Sequence, residues 1–510
     1  MPTYLSPGVY VQEVSSGSKP IEGVGTAVAA FVGLAEKGAP NTPTLVTNWT
    51  QFTQTFGDFV EGSYLAHAVY GYFLNGGGAA YIVRVGSDGE EAPPSVARAE
   101  LLAAGDGGRP VYRVLALEGG AAGDDIAVEV AEASQPEDDS FKLVVIRAGK
   151  VEETFDNVTT KRGPQNVVTA VKTRSKLVRL EEVATGGALA PVRTKTSLAG
   201  GSTSIAVRIS ADDYVGDVAD RTGFAGLEAV DEVTMLCVPD LMAAYQRGLI
   251  DLEAVQAVQL AMIAHCELMG DRVAILDAPP GLSAQQVKEW RVDKAGYDSK
   301  YATLYWPWVK VFDPQRGQAV FMPPCGHMAG IWARTDDTRG VHKAPANEVV
   351  RGAISLELQL TRAEHDQLNP VGINCIRSFP GRGIRVWGAR TISSDPEWRY
   401  LNVRRLFNFV EESILEGTQW VVFEPNDYRL WDSVTRTVRA FLRRVWRDGA
   451  LFGTTPDEAF FVKCDAENNT QDTIDAGQLI VDVGIAPVKP AEFVVFRIAQ
   501  FAGGAALSES

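Results

Sequence analysis

Cys325, Gly326 and His327 stand together, and His342 follows in the same run. A thiol beside an imidazole is the grouping of a cysteine nucleophile, and Cys/His sets bind zinc. The spacing fits no zinc template, and a structural role explains the residues more cheaply. Asp336–Asp337 and His365–Asp366 have the types for acid–base work, although solvated loops and helix caps account for them as readily. Gly381-Arg-Gly-Ile-Arg385 is too poor in glycine to wrap a dinucleotide. The chain holds no GxxxxGK[ST] loop, no G-x-S-x-G elbow and no H-E-x-x-H helix. No cofactor and no metal are expected. Most of these candidates fall in Pro323–Glu348, rich in Gly, Pro, Arg and His and without long apolar stretches. Read as a loop, Gly326–Glu348 is either an enzyme's active-site segment or a rigid connector between domains.

A second grouping is electrostatic. Arg436, Arg439, Arg443 and Arg447 recur at steps of three, four and four, one stripe of a helix at about 100° per residue. Val434, Val438, Phe441 and Val445 form the opposite, buried face, flanked by Arg444, and few carboxylates accompany them (Asp427, Asp432, Asp448). The formal net charge of −16 disfavours bulk nucleic-acid binding, so this stripe is a local exception. It is either a solvated face or a docking face for an acidic partner.

The elements that must carry these groups follow from periodicity. Gly25–Gly38 is a buried strand or short helix; Ser63–Gly77 is a helix capped by Ser63, and Ala80–Val85 a buried strand. The pattern resumes at Asp231–Leu241, in a helix from Asp251 to Met269, and in Arg272–Pro279, Ser283–Ala295 and the strand-like run Tyr301–Asp313. Alternating strands and helices predict an α/β core with a mainly parallel sheet. Between them, residues 89–211 read as a mostly β insertion. Trp398–Leu415 and Asn426–Gly449 are helices, and Ala459–Asp465 and Gln478–Pro487 strands, which makes an α+β C-terminal domain. The expected division is 1–20, 21–88 with 212–375, 89–211, 376–487 and 488–510.

The two ends share a pattern. Gly8–Val14 alternates as a strand, with Val9 and Val11 on one side and Tyr10 on the other, and Ser15–Pro20 is a flexible tether. Val488–Pro490 is a second tether, leading to another alternating segment, Ala491–Phe501. A lone strand has no ladder for its backbone. Five widely spaced cysteines suit a reducing compartment, the first residues show no secretory leader, and no apolar run is long enough to span a membrane.

Pro7–Glu13, Tyr72–Val85, Trp306–Val311, Gly326–Glu348, Leu368–Thr391, Trp398–Ile414, Gly417–Asp427, Ala450–Asp465 and Val488–Gln500 resemble contractile tail sheath proteins of phages and phage-tail-like injection systems. The resemblance covers residues 1–88 and about 212–502; the insertion matches in place but poorly in residues. It implies a structural subunit, not an enzyme, that stacks in hexameric rings around an inner tube and contracts on a baseplate trigger. It further implies that terminal arms are exchanged between copies. Carried onto this chain, the arms use Val9, Tyr10, Val11, Phe493, Val495 and Phe496, and the receiving strands, Phe460–Cys464 and Leu479–Ile485, use Phe460, Val462, Ile480 and Val483. On the same resemblance the arginine stripe faces the inner tube, and the other partners are baseplate and tail-terminator or cap proteins. No nucleic acid or membrane insertion is implied. Assembly would occur in the cytoplasm of the producing bacterium, and overall similarity leans towards an injection particle. The alternatives are an enzyme with its site in Gly326–Glu348, or a self-assembling shell subunit without an inner tube.

Overall fold

The computed structural model describes residues 20–86, 96–103, 109–117, 123–135, 137, 139–147, 149–183, 190–200, 209–313 and 317–497. The expected N-terminal strand with Val9, Tyr10 and Val11 lies outside the described residues.

The chain first lays down β1 (Val28–Gly33), β2 (Thr44–Val46) and β3 (Ala79–Arg84). An inserted run follows: β4 (Arg98–Leu102), β5 (Pro110–Ala116), β6 (Ile126–Glu132), β7 (Ser140–Arg147), β8 (Lys150–Thr159), β9 (Val178–Glu182) and β10 (Lys195–Ser197). Then come β11 (Met235–Cys237), β12 (Val273–Asp277), β13 (Ala302–Trp306), β14 (Val309–Asp313), β15 (Gln318–Met322), β16 (Ala353–Leu356), β17 (Ile373–Phe379) and β18 (Gly383–Val386). Two long helices lead to β19 (Phe460–Lys463) and β20 (Asp482–Ile485).

The main sheet is mixed, in the order β18-β17-β13-β12-β11-β1-β3-β2. Its inner pairings are parallel, and β18 and β2 close the edges antiparallel. Strands covered on both faces read as continuous apolar runs. In β1, Ala30 and Val32 enter one core with Leu236, Leu276 and Leu304. Ala29 and Phe31 enter the other with Met235, Ile275 and Tyr305. The helix Leu252–Met269 covers the first face; Asp251 caps it by accepting from the Ala254 N–H at 2.8 Å. Helices Leu65–Asn75 and Cys325–Arg339 cover the second.

Four expectations need correction. The run Pro323–Glu348 is not a loop, because Cys325–Arg339 is a helix buried along most of its length. Its glycines are set by a helix pressed backbone to backbone against it: a Cβ on Gly326 would lie 2.3 Å from the Ala68 carbonyl oxygen, and one on Gly330 2.4 Å from that of Tyr72. Tyr301–Asp313 is not one strand either. It breaks at Pro307, and β14 leaves the main sheet to pair antiparallel with β15 and β16. Ser63 does not cap its helix alone: its hydroxyl accepts from the Leu65 N–H at 3.2 Å, and the cap is shared with Asp240. The same hydroxyl donates to the Asp240 Oδ2 at 2.9 Å, and the Asp240 carboxylate takes the N–H groups of Tyr64 and of Leu65, the latter at 3.0 Å. Burial pushes that carboxyl up to about 6. Lastly, a domain break after residue 375 would cut β17, whose pairing with β13 and β18 keeps it in the main sheet.

The inserted run has its own core, including Leu101, Val114, Val128, Leu143, Phe155 and Leu180. It forms two antiparallel sheets, β4-β5-β9 and β10-β6-β7-β8. Arg98 and Ala199 bridge its two described ends, which lie side by side. A further core joins Leu406, Val434, Phe441, Phe460 and Val462 with Ile21 from the start of the described chain.

Candidate assembly site

The residues with chemical potential are locked into structure. Cys325 is buried, its N–H donates to the Asp277 Oδ1 at 3.0 Å, and burial raises its thiol well above the usual range, the reverse of an activated nucleophile. His327 lies buried against Gly71, and burial lowers it to about 4, so its imidazole is neutral at physiological pH. His342 lines a separate groove with Leu406 and Asp448. Asp336 is held bidentate by Arg405 at 2.9 and 2.6 Å and accepts from the Thr26 hydroxyl at 2.7 Å. His365 is half-buried, with its pKa lowered by burial. Among the described residues, no group of three or more His, Cys, Asp or Glu is placed to hold a metal ion.

The C-terminal end carries a different arrangement. β19 and β20 pair antiparallel from Phe460 with Ile485 to Lys463 with Asp482, and neither has a second ladder partner among the described residues. Alternation sends Phe460 and Val462 inwards against the helix Tyr428–Arg447 and leaves Phe461 outside, 57% exposed, with its ring over Gly484. Of the expected receiving residues, Phe460 and Val462 therefore belong to the core, and Val483 is at the surface. Ile480 falls outside β20. The Asn469 side chain brackets it, accepting from the Ile480 N–H at 2.7 Å and donating to its carbonyl at 2.9 Å. Both backbone groups of Ile480 are thus taken by Asn469.

Beyond β20 the chain does not hang free, as the expected tether Val488–Pro490 implied. The Val488 N–H donates to the Ala450 carbonyl at 3.1 Å, and Asn402 Nδ2 donates to the Val488 carbonyl at 3.1 Å. Glu492 then lines a groove of about 890 Å³ together with Asn369, Arg377, Arg390 and Tyr400. Its Oε1 accepts from Arg390 Nε at 2.8 Å, and its Oε2 pairs with Arg390 Nη2. Burial alone would raise this carboxyl, but the hydrogen bonds and charge of Arg390 outweigh it and hold the pKa low. Past this point Phe493, Val494, Val495 and Phe496 are 73, 70, 78 and 83% exposed. Residues 491–497 form no strand in the single chain, since a strand exists only on a ladder and none is offered here.

The arginine helix begins at Asp427, whose carboxylate accepts from the Arg429 and Leu430 N–H groups. Leu430, Val434, Val438, Phe441 and Val445 are buried, and Arg436, Arg439, Arg443 and Arg447 are exposed. Asp432 pairs with Arg436 at 3.2 Å and Asp457 with Arg439 at 3.5 Å; among the described residues Arg443 and Arg447 have no ion-pair partner. Exposed Arg429 shares the stripe, two turns before Arg436. A search for steps of three and four misses it; a step of seven finds it.

Comparisons with known proteins agree with this picture. Residues 209–392 match the phage tail sheath protein central domain, and residues 393–501 match the phage tail sheath C-terminal domain. The tail sheath protein of Vibrio phage KVP40 is 25% identical over 238 residues, 44% of this chain and 35% of that protein. That of Salmonella phage ViI is 26% identical over 404 residues, 71% of this chain and 60% of its own. The chain thus spans less than two thirds of these two relatives. That of Burkholderia phage BcepMu is 25% identical over 516 residues, 96% of this chain and 95% of its own. Cryo-EM structures of the anti-feeding prophage baseplate and of its helical sheath in the contracted state each share 25% identity at a TM-score of 0.59, covering 98% of this chain and 100% of theirs. The two matched domains together take up more than half of the sequence, and the chain belongs to the phage tail sheath protein family.

Proposed function

We propose that this chain is the structural subunit of a contractile sheath. It polymerises as stacked hexameric rings around an inner tube and shortens from a metastable extended state to drive that tube through an envelope. The observation that carries this reading is the fastened C-terminal segment with four exposed apolar residues beyond it, in a chain that also keeps an unextended two-stranded sheet. Laying such an arm on another copy's β19–β20 edge is β-augmentation. Each main-chain bond contributes about 0.5–1.5 kcal/mol net, and several act together. Because the contact joins different surfaces of two copies, it does not stop at a dimer and can propagate along a helical lattice. The N-terminal arm around Val9–Val11 would complete the same sheet.

Contraction needs two packings of the bodies separated by a barrier, not bond chemistry. The buried positions of Cys325 and His327 fit a subunit whose work is mechanical. The arginine stripe, including Arg429, is read as the face towards the inner tube, a weak electrostatic contact that guides assembly and releases on firing. Baseplate and terminator proteins would contact the sheath ends, in line with the baseplate assembly in which the anti-feeding prophage relative was seen. Assembly is placed in the cytoplasm of the producing cell. The proposed units are the arms, a sheet domain ending near residue 392, an outward-facing insertion and a C-terminal inner domain.

Deletion of residues 1–14 tests this directly. The product is expected to be a folded, non-polymerising subunit; ordered striated tubes from it would overturn strand exchange by that arm. Co-purification of a tube protein separates a sheath from a shell without a lumen.

A further inference from the structure

We propose that Glu492 and Arg390 are positioning residues for strand donation: they form a clamp that fixes where the C-terminal arm leaves the body. The inference rests on the sheath reading for its purpose, though the clamp itself stands on geometry. Arg390 is 7% exposed and held from several sides. Its N–H donates to Asn374 Oδ1 at 2.7 Å, and its carbonyl accepts from Asn374 Nδ2 at 2.8 Å and from the Thr303 hydroxyl at 3.0 Å. Its Nη1 donates to the Asn369 carbonyl at 3.1 Å. The guanidinium is therefore a fixed fork, and a carboxylate that meets it through both oxygens is oriented as well as bound. Asn369 Nδ2 reaches the same Glu492 Oε1 at 3.4 Å, and the Tyr400 hydroxyl reaches Oε2 at 3.5 Å.

The clamp joins three parts of the chain. Thr303 and Asn374 lie on β13 and β17 of the main sheet, Tyr400 precedes the first C-terminal helix, and Glu492 sits at the arm root. A pull on the arm is thus delivered through Arg390 into the main sheet instead of into the Val488–Ala491 segment. Pro490 between the two fastenings restricts the backbone further. Released at Glu492, the arm would be held only from Val488, four residues or about 13 Å of extended chain earlier. The donated strand would then search a larger volume before meeting its ladder, at a lower effective concentration.

The test compares wild type with Glu492→Gln, which removes the charge and keeps the shape, Glu492→Ala, and Glu424→Ala as a control on an exposed acid. Amide exchange on the dispersed subunit is expected to show residues 489–492, past the Val488 fastening, losing protection in both Glu492 variants, with peptides from the main sheet unchanged. Assembly followed by sedimentation is expected to need roughly ten-fold more protein, while the tubes that form keep the wild-type lattice. Unchanged exchange at 489–492, or assembly of Glu492→Ala at the wild-type concentration, overturns the clamp. A wild-type chain that never forms tubes counts against the sheath reading, and the exchange data still decide the clamp.

Discussion

Arg444 donates to the backbone carbonyl of Ile21 at 3.0 Å, so the first described residues are tied to the helix that carries the arginine stripe. The Ile21 side chain is 1% exposed, and a Cβ on Gly417 would meet it at 2.5 Å. The Val24 N–H donates to Ser413 Oγ at 3.1 Å, a second fastening on the preceding helix. Residues 21–24 and Val488 therefore both sit on the C-terminal part of the chain, where β19 and β20 also lie, while Glu492 sits on Arg390. A segment can be donated and pulled only if its base is held, as residues 21–24 and 488–492 are.

Replacing Ile21 by Ala should cost about 2–5 kcal/mol of stability, because it empties a packed site in the core around Phe441 and Leu406. Denaturant unfolding of the isolated subunit measures it. A loss below about 0.5 kcal/mol would mean that residue 21 belongs to the tether and not to the body.

Gly326→Ala should destabilise by about 1–3 kcal/mol or more, since the new methyl meets the Ala68 backbone and neither helix can move without disturbing the sheet beneath. The urea midpoint reports this. Gly381→Ala is the comparison: a Cβ there meets nothing, although its φ of 70° adds backbone strain.

Reversing Arg439 and Arg443 to Glu should leave the unfolding midpoint within about 0.5 kcal/mol of wild type, as both side chains are exposed. The same change should abolish assembly on the tube. Tube-filled particles of normal appearance from this double variant would remove the stripe from the tube interface.

Asp277 predicts a pH dependence. Burial raises its carboxyl to about 7 in the folded chain, from an ordinary 3.8. A group raised on folding contributes stability that is complete below about pH 4 and is lost as pH rises through about 7. Asp277→Asn cannot ionise, so its stability relative to wild type should improve between pH 5 and pH 8. His265 and His327, both lowered by burial to about 4, act in the opposite sense on acidification, but they are common to both proteins and cancel in the difference. A difference that stays flat with pH would mean that the carboxyl ionises normally in place.

The sheet strands were legible because a strand covered on both faces has to be largely apolar, as Val28–Gly33 and the first four residues of Val273–Asp277 are. The arginine helix was legible because its amphipathic period survives without knowledge of neighbours. What failed depended on partners. Gly326 and Gly330 lower helix propensity, and their reason lies on the facing helix, so the run read as a loop. The break at Pro307 hid within a continuous apolar run. Ala491–Arg497 reads as a strand from its apolar content, yet forms none in the single chain, where no ladder is offered. The Glu492 clamp was invisible because Arg390 lies a hundred residues away in the chain. Asn469 at Ile480 is the same kind of omission: a side chain had taken the place of a strand.

The most direct measurement is cryo-EM of the particles formed when this chain is produced with its tube protein. The account predicts a helical sheath in which Phe493–Phe496 of one copy lie as an added strand along β19–β20 of another, with Glu492 still on its own Arg390. An arm folded back on its own body, or a small closed oligomer without a lumen, would contradict it.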